Sequence, residues 1–129
     1  MLLQVKDLNT YYGKSHVLQD MSVSIDRGEI VALLGRNGMG KSTTLKSIMG
    51  LVKPTSGSIV YGGKDIFGYA PFQVAKAGIG FVPEERRIFP NLPVLDNLKM
   101  GIKHGKAARV EGRNQWDLER VYRHFPILK

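Results

Sequence analysis

The stretch Glu29-Ile30-Val31-Ala32-Leu33-Leu34-Gly35-Arg36-Asn37-Gly38-Met39-Gly40-Lys41-Ser42 decides the fold. Its second half is a glycine, four residues and then Gly-Lys-Ser, which is the pattern of a phosphate-binding loop. Ahead of it, Ile30 to Leu34 are all apolar, as expected for a parallel strand buried on both faces. Behind it, Lys41 to Leu51 reads as a helix closed near Gly50. The glycines let the backbone aim successive N–H groups at an anion. The helix N-terminus adds partial positive charge. The expected cradle for a nucleoside triphosphate comprises Gly35, Arg36, Asn37, Gly38, Met39, Gly40, Lys41, Ser42 and Thr43. Lys41, which reaches the terminal phosphates, is a catalytic as well as a binding candidate, and the Ser42 hydroxyl is the candidate Mg²⁺ ligand. An ordinary glycine-rich turn has no need of Gly-Lys-Ser, an apolar strand and a helix in this order.

Composition narrows the classes further. A chain of 129 residues can build one domain with a sizeable core, and not two. No apolar run approaches the length that crosses a bilayer. Met1 to Lys6 reads as a strand, without the basic flank and long apolar stretch of a secretion signal. The absence of cysteine excludes a disulfide framework and a thiol nucleophile. His16, His104 and His124 are far apart, without metal-ligand spacing. The formal charge is +8, and seven basic against three acidic residues fall between Met100 and Lys129. These charges stand singly, without the aromatic interleaving of a single-strand binder, so a solvated face is expected and no nucleic acid.

Along the chain, Leu3 to Leu8 begins with apolar–polar alternation and Met21 to Ile25 alternates throughout, as in a sheet packed on one face. Asp26-Arg27-Gly28 turns the chain into the apolar run. After the helix, Val52 to Gly57 is a break, Ser58 to Tyr61 a short strand ended by Gly62-Gly63, and Pro71 to Ala77 a two-turn helix. Ala77 to Val82 reads as a further strand, Pro83 to Asn91 as a charged loop and Pro93 to Met100 as a helix. Gly101 to Asn114 reads as a connector. Trp116 to Phe125 reads as an amphipathic helix, with Leu118, Val121, Tyr122 and Phe125 on a packed face. The predicted class is α/β: a phosphate-loop nucleotide hydrolase fold with an N-terminal antiparallel β portion and an at least partly parallel sheet.

Three phosphate-loop classes compete. A small GTPase needs a guanine-reading Asn-Lys-x-Asp, which this chain lacks. Asp65-Ile66-Phe67-Gly68 matches the Asp-x-x-Gly of a switch loop, but so short a pattern arises easily by chance. A small-molecule kinase usually carries its phosphate loop close to the N-terminus, whereas here apparent β structure comes first. That arrangement resembles the ATPase subunit of an ABC transporter. Tyr11-Tyr12-Gly13-Lys14 resembles the family's loop in which an aromatic ring stacks on adenine, with Tyr12 the better match. Arg27-Gly28-Glu29 and Pro54-Thr55-Ser56-Gly57 resemble its standard turns. Phe81-Val82-Pro83-Glu84-Glu85-Arg86-Arg87-Ile88-Phe89-Pro90, followed by Asp96-Asn97-Leu98, stands where most of the family carries a glutamine loop. Here the glutamine position holds Glu84, which the resemblance makes a catalytic and Mg²⁺-ligating candidate. The Val-Pro-Glu variant with paired arginines resembles ATP-binding subunits of branched-chain amino acid importers, with urea and amide importers close by. Glu85 departs from the glycine frequent in that group. Pro93 stands where a helix-capping threonine is common.

The resemblance implies ATP and Mg²⁺ as ligands. As partners it implies membrane-spanning permease subunits, a second ATP-binding subunit in a dimer and, indirectly, a periplasmic substrate-binding protein. The implied location is peripheral, at the cytoplasmic face of the inner membrane. Residues 1–129 then correspond to the N-terminal part of the ATP-binding domain, an incomplete fold. No Leu-Ser-Gly-Gly signature and no apolar run ending in Asp-Glu follows, so this chain alone is expected to bind ATP without efficient hydrolysis. Two functional classes result: the front half of a transport ATPase, or a nucleotide-binding module without turnover. The first is also expected to expose sheet edge and apolar surface, and so to aggregate.

Overall fold

Leu3, Val5, Leu8 and Thr10 are all buried in the first strand, although an unbroken strand would send odd and even positions to opposite faces. The computed structural model, which describes residues 1–36, 40–85, 87–102 and 116–129, explains why. Strand β1 (Leu3–Tyr12) pairs antiparallel with β2 (Ser15–Ile25), and each carries a residue in the left-handed region: Asp7 at φ 49° and Asp20 at φ 48°. Between the pairs Val5–Val23 and Leu8–Met21 the extra residue lies on β1; between Leu8–Met21 and Thr10–Leu18 it lies on β2, and again on β2 between Thr10–Leu18 and Tyr11–His16. These are β-bulges, and each reverses the inward parity of its strand. The hairpin closes through Gly13 and Lys14, with Gly13 at φ 59°, where an L side chain is disfavoured.

β1 pairs on its other side with β3 (Ser56–Tyr61), which pairs in turn with the short β4 (Lys64–Asp65). The sheet order is β2-β1-β3-β4, antiparallel throughout. Helix α1 (Lys41–Ile48) adds Ile48 to a core of Leu3, Val5, Leu8, Leu18, Ile59 and Ile66. Helix α2 (Pro71–Ala77) has the bounds its sequence predicts, and Gly78, expected in a strand, instead caps it at φ 117°. The Asp-x-x-Gly match is a local turn: the Asp65 carboxylate accepts from the Phe67 main-chain N–H at 2.9 Å, and Ile66 is buried in the core.

Two expected strands are absent. Glu29 to Leu34 and Ala77 to Val82 do not form strands: Ala77 ends α2, Gly78 caps it, and neither run has a ladder partner among the described residues. A strand is stabilised by the neighbour that satisfies its N–H and C=O groups, and an apolar run without one does not become a sheet. Ile30 is accordingly 96% exposed and Leu34 89%. The anticipated exposure of apolar surface is therefore present, and the parallel part of the sheet is not among the described elements.

Residues Met1–Ile79 form one compact unit and Gly80–Lys129 a second. The second holds α3 (Val94–Met100), α4 (Leu118–His124) and a 3-10 turn, Pro126–Leu128. α4 starts where Asp117 accepts from the Arg120 N–H at 2.7 Å, a side-chain cap of the expected kind. Its expected packed face is only partly present. Leu118, Val121 and Tyr122 are half-buried, whereas Phe125 is 54% exposed. Trp116 packs against Arg120 and His124 of its own segment instead. The connector expected over Gly101 to Asn114 lies mostly outside the described residues.

Candidate functional site

The N-terminus of α1 is left open by its own sequence. Gly40 occupies the cap with φ 88° and offers no side chain, and the first turn contains no acidic residue. The N–H groups of that turn, which have no side-chain cap among the described residues, keep their partial positive charge. The φ of Gly40 disfavours an L side chain, and a Cβ there would also come to 2.9 Å from Leu18 Cδ2, so that side-chain tip would have to shift. Behind it, the Thr44 N–H and hydroxyl both donate to the Gly40 carbonyl at 2.8 Å, which stiffens the first turn.

Lys41 bends back so that its ammonium donates to the carbonyl of Gly35, tying the start of the loop to the start of the helix. Ser42 beside it is exposed. Thr43 is buried, so its contribution to an anion is its main-chain amide. Arg36 is exposed. Asn37, Gly38 and Met39 lie outside the described residues. An anion carrying several negative charges fits this donor set of open amides, an ammonium and a hydroxyl. Ser42 alone fits a divalent cation as a single oxygen ligand, with water and phosphate oxygens completing the shell. Among the described residues no cluster of three acidic or histidine side chains stands ready to hold a metal.

The β1–β2 hairpin is tied to this helix. The hydroxyls of Thr10 and Ser47 hydrogen-bond at 3.0 Å, with both residues buried. Tyr12 lies two residues beyond Thr10, on the same face of β1, and is 47% exposed. Tyr11 points to the other face, where the His16 ring stacks on it at 4.1 Å and 7°. Strand parity thus puts Tyr12, the better match in sequence, on the side of Thr10.

Glu84 belongs to the second unit, where it is exposed; neighbouring Glu85 pairs with Arg87 at 3.2 Å. Arg86 lies outside the described residues. In the same unit Asn97 performs a task its sequence position did not announce. Its Oδ1 accepts from the Phe89 N–H at 2.9 Å, while Nδ2 reaches the carbonyls of Phe89, Leu92 and Pro93 at 3.0 to 3.1 Å. Pro93 gives α3 no side-chain cap, and Asn97 holds the entering loop in its place.

Among described residues no helix is long and apolar enough to cross a membrane. The family model described as ABC transporter matches residues 18–129. The high-affinity branched-chain amino acid transport ATP-binding protein BraG of Pseudomonas aeruginosa is 44% identical over 99% of this chain and 53% of its own length. A probable branched-chain amino acid transport ATP-binding protein, LivF of Archaeoglobus fulgidus, is 39% identical over 99% of this chain and 52% of its own. A molybdate/tungstate import ATP-binding protein of Thermococcus kodakarensis is 35% identical over 100% of this chain and 38% of its own. The chain thus spans about half the length, or less, of these curated relatives. The solved structure of an ATP-binding subunit of an ABC transporter superposes with a TM-score of 0.69 at 38% identity, covering 78% of this chain and 41% of that one. A dimeric ATP-binding cassette bound to ADP and Pi superposes at 0.67 with 29% identity, covering 77% of this chain and 46% of that one. The antiparallel sheet, the loop-to-helix corner and these matches together make the chain a member of the ABC transporter family.

Proposed function

We propose that these residues are the nucleotide-binding part of the energy-coupling subunit of an ABC importer for branched-chain amino acids. The observation that carries the reading is the open, uncapped start of α1 with the Lys41 ammonium bent over it. In this reading ATP lays its β- and γ-phosphates on the amides from Gly35 to Thr43, and Lys41 leaves the Gly35 carbonyl to meet them. Ser42 holds one position on Mg²⁺, which supplies charge neutralisation between the phosphates. Tyr12 offers a flat face to adenine. Glu84 stands in the glutamine-loop position as a second candidate ligand for Mg²⁺. That role rests on the sequence resemblance.

The substrate reading rests on two branched-chain relatives that each align over 99% of the chain. A second ATP-binding subunit is supported by the dimeric relative that carries ADP and Pi. Permease subunits in the membrane, a periplasmic binding protein acting through them, and a peripheral place at the inner face complete the proposal. These residues bind and orient the triphosphate; dimer closure and coupling are assigned to a protein of the relatives' full length. Lys41→Ala tests the core of the proposal. Loss of a charge-assisted contact to phosphate is expected to weaken ATP by about ten- to a hundredfold in a fluorescent-nucleotide titration. An unchanged affinity would remove the loop from the site.

A further inference from the structure

Asn9 lies between the two left-handed aspartates, and its amide is engaged on every side. Its Oδ1 accepts from the Asp20 main-chain N–H at 3.2 Å and faces His16 Nε2 at 2.8 Å. Its Nδ2 donates to the Asp7 carbonyl and to Asp20 Oδ1, both at 3.0 Å. The Asp20 N–H can only donate and the Asp7 carbonyl can only accept, so the orientation of the amide follows from the chemistry of its partners. His16 Nε2 must then carry the hydrogen that Oδ1 accepts. One side chain thus pins both bulged residues and the histidine that covers Tyr11.

The consequence is directional. Leu3 and Val5 point inward from odd positions, and Leu8 and Thr10 from even ones, because the bulge at Asp7 reverses the parity of β1. A regular strand carrying Leu3 and Val5 inward would bring Tyr11 to the α1 face and send Tyr12 away from it. With the bulge, strand parity puts Tyr12 on the face of Thr10, whose hydroxyl is bonded to Ser47 of α1. We propose that Asn9 is a positioning residue which, by locking the paired bulges at Asp7 and Asp20, selects Tyr12 over Tyr11 for the phosphate-loop side and so sets recognition of the adenine base. The inference rests on the reading of Tyr12 as the base-stacking residue.

The test compares ATP with inorganic triphosphate, which has phosphates and no base. Both are titrated against the unaltered chain, Tyr12→Ala, Asn9→Ala and Asn9→Asp. The last keeps the size of the side chain but removes both Nδ2 donors and sets a carboxylate against Asp20. Tyr12→Ala is expected to weaken ATP about tenfold, the order of one lost base–aromatic stack, and to leave triphosphate unchanged. The Asn9 variants are expected to reproduce that selective loss. Retained triphosphate binding reports an intact phosphate loop, which loss of the fold would not spare. If Asn9→Ala loses both ligands, Asn9→Asp decides. Selective loss of ATP there supports the proposal, and equal loss of both overturns it. If Tyr12→Ala is selective while an Asn9 variant binds ATP normally, the positioning role falls and the stacking role stands. If Tyr12→Ala weakens both ligands equally, the stacking role falls and takes this proposal with it.

Discussion

β1 and the run Ile30 to Leu34 are both rich in aliphatic residues, and they meet opposite fates. In β1, Leu8 is fully buried and Val5 nearly so, while Ile30 and Leu34 stand almost wholly in solvent. Hydrophobicity does not separate them, because the run has the more continuous apolar sequence. β1 differs in having β2 on one edge and β3 on the other, so its main chain is satisfied on both sides. A strand must pair its backbone before its side chains can share a core. The run feeding the phosphate loop has the side chains and lacks the pairing. It therefore leads into a helix whose other support, the hairpin, holds its contact through the buried Thr10 and Ser47.

The largest effect should come from the paired region. Leu8→Ala removes a fully buried side chain from the centre of the sheet and is expected to cost about 3 kcal/mol. Urea unfolding would report this as a lower midpoint with an unchanged slope. A cost below about 1 kcal/mol, the level of an ordinary surface change, would mean that β1 is not the centre of the core. The contrast with the exposed run would then collapse.

A smaller effect should come from the polar contact that joins the two supports of the loop. Thr10→Val leaves the Ser47 hydroxyl buried without its partner, and Ser47→Ala does the same to Thr10. Each single change is expected to cost about 1 to 2 kcal/mol, and the double change less than their sum, because no orphaned hydroxyl remains. Additive costs in this cycle would show that the hydroxyls do not depend on each other, and that the hairpin is held to α1 by packing alone.

Much of this was readable from sequence wherever the signal is local. Gly35, Gly40, Lys41 and Ser42 announce the loop by spacing, and Pro71 marks the first turn of α2. The bulges were not readable, because an aspartate at positive φ looks like any other aspartate and the alternation rule assumes an unbroken pleat. β4 is two residues long, too short for any period to register. The Thr10–Ser47 contact joins residues 37 positions apart, and the four bonds of Asn97 depend on the path of a loop. Phe125 fits a helical stripe, but a stripe does not say whether a surface is present to receive it.

The smallest effect is the sharpest probe of the comparison. Ile30→Ala removes three carbons from a side chain that is already 96% exposed, so no transfer from a core and no cavity is involved. The expected change in unfolding free energy is within about 0.5 kcal/mol, as for other exposed positions. A slightly less apolar run should also lower the tendency to aggregate, readable as reduced light scattering at equal concentration. In a polypeptide that supplies ladder partners to both edges of residues 29–34, the same substitution would empty a buried site and cost about 2 to 5 kcal/mol. The difference between those two costs therefore measures how much of the run's burial depends on pairing. A cost of several kcal/mol in the 129-residue chain itself would mean that the run is already covered, and that its apolar side chains suffice without a neighbouring strand.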